Sequence, residues 1–153
     1  MVLYLIQHAE AKSKRDDPLR GLTDSGVRAI GRTATFFGRL NPAVDAIWHS
    51  GKKRAAQTAD ILAEALMAAE CVDGHAGLSP EDDIDVILRE LQAADYKQLV
   101  LIGHLPHLSR LCSLLLVEDQ EREPVRFCNA GIVCLERQQT WRLCWMITPD
   151  IVS

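Results

Sequence analysis

Several features that would assign a chain to a particular class of protein are missing from this sequence of 153 residues. No run of apolar residues approaches the roughly 20 that a membrane-spanning helix needs, so the sequence predicts no membrane contact. Lys and Arg number 17 against 21 Asp and Glu, which gives a net charge of −4. Proteins that bind the phosphate backbone of nucleic acids usually carry a basic excess, so this charge argues against general nucleic-acid binding.

The five cysteines contain no Cys-x-x-Cys pair, so the close ligand spacing of a structural zinc site is missing. Their odd number, and the position of several of them within apolar stretches, is typical of buried thiols in a reducing compartment. The segment Met1–Ile6 has no basic leader and no cleavage site, which favours a strand over a signal peptide. We therefore expect a cytoplasmic protein.

The sequence does have the composition of an ordinary globular protein, with 48% hydrophobic and 25% charged residues. No internal repeat, low-complexity tract or linker divides it. Its length suffices to form one hydrophobic core without disulfides or a structural metal. We therefore expect a single domain over residues 1–153.

Apolar runs and helical spacings alternate along the chain. Strands are predicted at residues 3–6, 46–48, 71–72, 99–102, 131–135 and 141–147. Helices are predicted from Thr23 or Asp24 to 40, from Ser50 as N-cap to about 66, over 83–94 and over 106–116. The spacing in the first helix places on the core face Val27, Ile30, Ala34, Phe37 and Leu40. The alternation predicts an α/β fold, a three-layer α/β/α sandwich whose mixed central sheet is mostly parallel and ends in an antiparallel pair.

Two histidines stand immediately past the ends of predicted buried strands. His8 follows Leu3–Gln7, and His104 follows Leu99–Gly103. Ligands of open α/β sheets bind outside the carboxyl ends of the strands, so both imidazoles are candidates for one active site.

Basic side chains are predicted to gather at the same edge of the sheet. Arg20 ends the polar loop after the first strand, while Ser50, Lys52 and Arg54 follow the second strand into a helix start. Helix N-termini and guanidinium groups both favour phosphate. The pattern predicts a histidine nucleophile that takes up a phosphoryl group, with the arginines and the second histidine stabilising its charge. This chemistry requires no metal and no other cofactor.

Four segments resemble the histidine phosphatase superfamily, the phosphoglycerate mutase-like proteins: Gln7–Ala11, Arg20–Thr23, Ser50–Ala59 and Gly103–Pro106. The short length and the Arg-x-Leu-Thr element resemble its SixA-type phosphohistidine phosphatases. The resemblance implies that His8 is the catalytic nucleophile and that Arg54 and His104 share its phosphate pocket. It matches Arg20 to an additional basic residue after the first loop, and Gln7 and Ser50 stand at substrate-binding positions.

The sequence departs from the family pattern at the nucleophile. The family motif opens Arg-His-Gly, whereas this chain has Gln7-His8-Ala9, and Gly51 stands where proline usually follows the serine. Gln7 brings no charge, and charge-assisted hydrogen bonds are about twice as strong as neutral ones. We therefore expect slower phosphoryl transfer or weaker substrate binding.

The resemblance implies a substrate that is a phosphohistidine-containing protein, such as a phosphotransfer protein. Larger members of the superfamily carry an acidic residue on an insertion over the pocket, where this chain has only the short segment 77–82. An imidazole leaving group depends less than an alcohol on protonation by such an acid. A short rim also suits a protein surface better than a sugar phosphate.

Three other hypotheses remain open from the sequence. Gln7 and Ala9 are compatible with a phosphate- or phosphoprotein-binding module that has lost catalysis, and the site is also compatible with hydrolysis of small phosphate esters. A metal hydrolase using His8, Glu10 and His104 is disfavoured because the surrounding arginines would repel a cation.

Single residues also have alternative roles. Arg20 could pair with an aspartate of its own loop, Asp16 or Asp17, instead of binding phosphate. The pattern assigns no catalytic role to three further histidines: His49, His75 and His107.

Overall fold

The computed structural model describes residues 1–152, in which six strands and four α-helices alternate. The strands are β1 (Val2–Gln7), β2 (Ala46–His49), β3 (Val72–Gly74), β4 (Gln98–Gly103), β5 (Ile132–Arg137) and β6 (Trp141–Ile147). The helices are α1 (Asp24–Arg39), α2 (Lys53–Leu66), α3 (Ile84–Ala93) and α4 (His107–Val117). Each element lies within a few residues of its predicted position. None of these helices is long and apolar enough to cross a membrane.

The strands form one mixed sheet in the order β3-β2-β4-β1-β5-β6. The first four run parallel, while β5 pairs antiparallel with both β1 and β6. Crossover helices connect the parallel strands, and a short turn joins β5 to β6. The mixed sheet and its late antiparallel pair confirm the predicted α/β fold.

The central strands are buried on both faces, which explains their continuous apolar runs. Leu3 and Leu5 of β1 pack into a cluster that includes residues of α3 and α4, whereas Tyr4 and Ile6 face a second cluster with α1 and α2. Because successive strand residues point to opposite faces, one strand supplies both cores.

Helix α1 begins as predicted, and most of its predicted core face is confirmed. The Thr23 side chain caps it by accepting a hydrogen bond from the Gly26 amide at 2.9 Å. Ile30, Ala34 and Phe37 are buried as predicted, whereas Val27 and Leu40 are 44% and 51% exposed. At the start of the helix the inward position is Gly26, where a Cβ would collide with the Glu10 carbonyl, so only glycine permits this close approach. Helix α1 thus lies directly against the segment that follows β1.

Candidate active site

His8 and His104 leave two adjacent parallel strands at the same edge of the sheet. Gln7 of β1 is in register with Gly103 of β4, and the His8 amide donates to the Gly103 carbonyl at 3.1 Å. This register brings the two imidazole rings to a centroid distance of 4.9 Å. The structure therefore brings together the two histidines that lie about a hundred residues apart in the sequence.

The His8 ring has two differently engaged nitrogens. Nδ1 lies 2.7 Å from the Ala9 carbonyl oxygen, and Nε2 lies 3.3 Å from Nε of Arg54. A carbonyl only accepts and a guanidinium only donates, so the proton is assigned to Nδ1 and the lone pair to Nε2. Burial lowers the pKa of His8, and the positive charges of Arg54 and Arg20 lower it further, against the opposing effect of the Ala9 carbonyl. His8 is therefore a neutral imidazole with Nε2 available as a nucleophile.

Arg54 stands in the first turn of α2, as predicted, and Thr58 fixes that turn against the histidine segment. The fully buried Thr58 hydroxyl accepts from the Ala9 amide at 3.0 Å and donates to the Arg54 carbonyl at 2.7 Å. Burial and the neighbouring Arg20 lower the pKa of Arg54, which still carries its charge at neutral pH. One threonine thus sets the distance between the His8 segment and the helix that carries the arginine.

His104 is 1% exposed and forms a 2.6 Å hydrogen bond through Nε2 with the Ser50 hydroxyl. Burial, helped by the charges of His8, Arg54 and Lys52, lowers the pKa of His104 to about 3. Its Nδ1 has no hydrogen-bond partner among residues 1–152. The unbound site therefore holds His104 neutral.

Ser50 was predicted to be the N-cap of α2, and this prediction is wrong because its hydroxyl is bonded to His104. The helix begins later, with Lys52 in the cap position and no side-chain cap. Gly51 lies between them at φ +85°, a left-handed conformation that turns the chain before the helix starts. Ser50 thereby stays on the sheet edge, where its oxygen also accepts from the Lys52 amide at 3.3 Å.

Arg20 lines the pocket beside Arg54 and is not paired with an aspartate of its own loop. Its Nε donates to the Lys12 carbonyl at 3.0 Å. The Asp17 carboxylate instead accepts from backbone amides of its loop and lies 3.4 Å from Nζ of Lys53. The alternative of an Arg20–aspartate ion pair is therefore wrong.

Gln7 stands at the end of β1, next to His8. Its Oε1 atom is buried and has no hydrogen-bond partner within residues 1–152. The amide side chain brings no charge to this edge of the sheet.

Besides Thr58, two residues have positioning contacts that the sequence did not predict: Asn129, and Gln57, which was expected only to pack near the site. The Asn129 side chain donates to the His8 carbonyl at 2.8 Å, and the Gln57 side chain accepts from the Leu22 amide at 2.7 Å. Asn129 precedes β5, which runs antiparallel to β1, so its position beside His8 follows from the sheet order. Nothing in the local sequence marks it.

The remaining candidates lie outside the reacting centre. Glu10 accepts from the Thr23 hydroxyl at 2.7 Å and so supports the start of α1, while His75 stacks on Trp48 at 4.0 Å. His107 is buried in the first turn of α4, where burial lowers its pKa. Residues 1–152 contain no group of three or more His, Cys, Asp or Glu side chains placed to hold a metal ion, so the metal-hydrolase hypothesis gains no support.

A pocket of about 390 Å³ opens at this edge, and Arg54 connects it to His8. Its walls come from the loop after β1, the start of α2 and the loop before α3: Lys14, Arg20, Lys52, Arg54, Ser79, Pro80, Glu81 and Asp82. A larger cavity of about 420 Å³ lies over the outer face of α1, between Arg28 and Arg39, and contains none of the predicted site residues. The arrangement at the sheet edge combines a neutral imidazole with fixed cationic donors, which suits a phosphoryl group.

The N-terminal part of the chain matches the model of the histidine phosphatase superfamily (branch 1) over residues 3–78. This stretch includes the predicted site positions at 7, 8, 20, 50 and 54. No curated protein sequence matches the chain significantly.

Solved structures share the whole fold at low sequence identity. The protein histidine phosphatase SixA complexed with tungstate is 20% identical, with a TM-score of 0.87 and coverage of 98% of each chain. A candidate SixA phosphohistidine phosphatase from Agrobacterium tumefaciens is 21% identical, with a TM-score of 0.81 and coverage of 97% of each chain. A candidate alpha-ribazole-5'-P phosphatase from Escherichia coli is 16% identical, with a TM-score of 0.79 and coverage of 97% of each chain.

Proposed function

We propose that this chain is a phosphatase of the histidine phosphatase superfamily and that it hydrolyses phosphohistidine on a protein through a covalent intermediate on His8. The observation that carries this proposal is the engagement of the His8 ring. With Nδ1 bonded to the Ala9 carbonyl and Nε2 facing Arg54, the ring presents its lone pair on the side where the cations lie.

In the first step, the His8 Nε2 lone pair attacks phosphorus and forms an N–P bond as the N–P bond of the substrate breaks. The leaving imidazole keeps the bonding electron pair and takes a proton from water. A second water molecule then attacks phosphorus, and the N–P bond to His8 breaks with its electron pair returning to Nε2. The proton lost by this water neutralises the hydroxide left by the first step, and inorganic phosphate is released. The reaction is a displacement at phosphorus in both steps, so its main requirements are positioning and charge stabilisation.

The cationic side chains supply that stabilisation. Arg54 already donates toward Nε2, and Arg20 lies close enough to lower the pKa values of both Arg54 and His8. A phosphoryl group between them would be contacted by planar donors that match its oxygens. A dianion beside His104 would raise the low pKa of that imidazole, because opposite charge offsets the effect of burial.

Two features support a protein substrate. The pocket rim consists of exposed charged side chains, such as Lys14 and Glu81, rather than an enclosing lid. The two SixA structures named above, which are phosphohistidine phosphatases by description, cover almost the whole fold of this chain. A phosphotransfer protein carrying phosphohistidine fits both features, and we propose such a protein as the partner.

The test is single-turnover dephosphorylation of a phosphohistidine-bearing protein in excess chelator, with wild type compared with His8→Ala. We expect complete loss of turnover in the variant and unchanged turnover by the wild type with or without chelator. His75→Ala is the matched control, because it removes a histidine from a loop outside the reacting centre. Equal turnover by His8→Ala and wild type would overturn the proposal.

Small phosphate esters are the second candidate substrates, since the fold is also shared with the candidate alpha-ribazole-5'-P phosphatase. Comparing kcat/KM for phosphoimidazole and an alkyl phosphate, glycerol 3-phosphate, separates the two. We expect the phosphoramidate to be preferred, because segment 77–82 is short and a phosphate ester depends more strongly on a proton donor. Binding of phosphate without turnover of either compound would indicate a module that has lost catalysis.

A further inference from the structure

Side chains of opposite charge line the candidate pocket without pairing with one another. Lys14 and Lys52 stand on the walls formed by the loop after β1 and the start of α2, while Glu81 and Asp82 stand on the loop before α3. The ion pairs within residues 1–152 are Lys53–Asp17, His75–Glu90 and Arg122–Asp119, so none of these four charges is neutralised by a described partner. The mouth of the pocket is therefore electrically polarised.

Backbone contacts hold the two charged walls in place. On the basic side, the Asp17 carboxylate accepts from the Leu19 amide at 3.0 Å and from the Gly21 amide at 2.8 Å. On the acidic side, the Asp82 carboxylate accepts from the Ser79 amide at 2.9 Å, and Leu78 is fully buried beneath the loop. Because these contacts fix the loops, the lysines stay on one wall of the pocket and the carboxylates on the other.

We propose that this polarised mouth, formed by Lys14 and Lys52 facing Glu81 and Asp82, orients the phosphoprotein substrate by its own charges. Acidic residues on one side of the phosphohistidine lie against the lysines, and basic residues on the other side lie against the carboxylates. The inference rests on the proposed function and adds the kind of surface that the substrate must carry.

Exposed charges of this kind act mainly on encounter and orientation. Complementary charges around an interface raise the association rate and reject partners of the wrong polarity, and salt screens both effects. Single exposed pairs contribute little, so we expect a preference of about three- to ten-fold rather than absolute specificity.

The test uses synthetic peptides of equal length that carry one phosphohistidine. One has Glu before and Lys after the phosphohistidine, a second has the reverse order, and two others are uniformly acidic and uniformly basic. Phosphoimidazole, which has no flanking charges, measures the chemistry alone. We expect one of the two polar peptides to exceed the other three in kcat/KM at low ionic strength, and the preference to vanish in about 0.5 M salt.

The double variant Lys14→Glu/Glu81→Lys exchanges one charge on each wall, so each wall then carries one charge of each sign and the polarity of the mouth is lost. It should abolish the preference for one polar peptide and leave turnover of phosphoimidazole within about two-fold of wild type. Lys97→Glu/Glu64→Lys makes the same exchange at the start of β4 and the end of α2, away from the pocket, and should change nothing.

The outcomes separate this inference from the proposed function. If wild type hydrolyses all four peptides equally, or if the double variant keeps the wild-type preference, the polarised mouth does not orient substrate and the inference fails. If wild type hydrolyses neither the peptides nor phosphoimidazole, the proposed function fails as well.

Discussion

The candidate site has a floor, defined here as His8, Arg54 and His104 at the carboxyl edge of the sheet, and a rim that includes Lys14 and Glu81 of the adjoining pocket. The floor residues are hydrogen-bonded to one another or to neighbouring elements, whereas Lys14 and Glu81 form no ion pair with any of residues 1–152. The floor is half-buried to buried, and burial lowers the pKa of both histidines. The rim side chains are exposed, so water and salt screen their interactions with a charged partner. Changes at the floor are therefore expected to alter the chemical step, and changes at the rim the choice of partner.

The largest difference between floor and rim is expected in kcat for Arg54→Ala, which removes the donor that faces Nε2 of His8. Loss of one fixed donor to a developing anion usually costs about 10²- to 10³-fold in rate, and we expect a loss of that size in kcat. Lys14→Ala is the rim control and should leave the turnover of phosphoimidazole unchanged. A kcat for Arg54→Ala within two-fold of wild type would show that the floor does not depend on this arginine.

Thr58→Val tests whether the floor is held by its buried hydroxyl. The substitution leaves the Ala9 amide without its acceptor, so we expect a loss of about 1–3 kcal/mol in the free energy of unfolding, measured by urea denaturation. We also expect a lower kcat, because Ala9 and Arg54 are joined through this side chain.

Thr33→Val is the matched control for Thr58→Val. Thr33 is also fully buried, but its hydroxyl bonds only to the Ala29 carbonyl of its own helix. It should cost less stability and leave kcat unchanged. Equal effects of the two substitutions on kcat would mean that Thr58 has no positioning role.

Gln7→Arg is expected to raise kcat/KM by about two- to ten-fold, since a guanidinium would place a charge-assisted donor beside the phosphoryl group. It also removes the buried Oε1 that has no partner within residues 1–152. Gln7→Met, which removes the amide without adding charge, is the control for the lost acceptor. A drop in activity for Gln7→Arg would show that the floor is built around the glutamine.

The smallest effect concerns pH. Since burial lowers the pKa of His8 below its ordinary value of 6.5, this imidazole stays deprotonated somewhat below that pH. We expect the acid limb of kcat/KM, corrected for uncatalysed hydrolysis, to have its midpoint below pH 6.5. A midpoint at or above that value would contradict the neutral, buried His8.

The lowered pKa of His104 also makes the free energy of unfolding depend on pH. His104 binds its proton more weakly in the folded state, with a pKa of about 3 against 6.5 when unperturbed. Its contribution to stability is therefore complete above pH 6.5 and is lost as the pH falls toward 3. His104→Gln should lose less stability than wild type on acidification from pH 7 to pH 5, as measured by urea denaturation.

The sequence was sufficient to predict the sheet and the meeting of the two histidines. Apolar runs such as Leu3–Ile6 and Leu99–Ile102 occur only where strands are covered on both faces, and parallel neighbours end at one edge. The place of Arg54 in the first turn of α2 followed from the strand–turn–helix order. These features depend on local pattern and on a general rule of α/β sheets.

The errors arose where long-range contacts override local pattern. The hydroxyl of Ser50 matches a helix N-cap by sequence, but His104 engages it from 54 residues away. The first turn of α1 was misjudged because its approach to Glu10 places Gly26 rather than Val27 in the interior. Asn129 reaches His8 across 121 residues only because β5 lies beside β1.

The most direct test of the central claim is to locate the phosphoryl group during turnover. The enzyme is mixed with a phosphohistidine-bearing protein and quenched in alkali, and its peptides are mapped against authentic Nε2- and Nδ1-phosphohistidine. We predict phosphate on Nε2 of His8, because Nδ1 is bonded to the Ala9 carbonyl. Phosphate on Nδ1, on another residue, or on no residue of a turning-over enzyme would contradict the account.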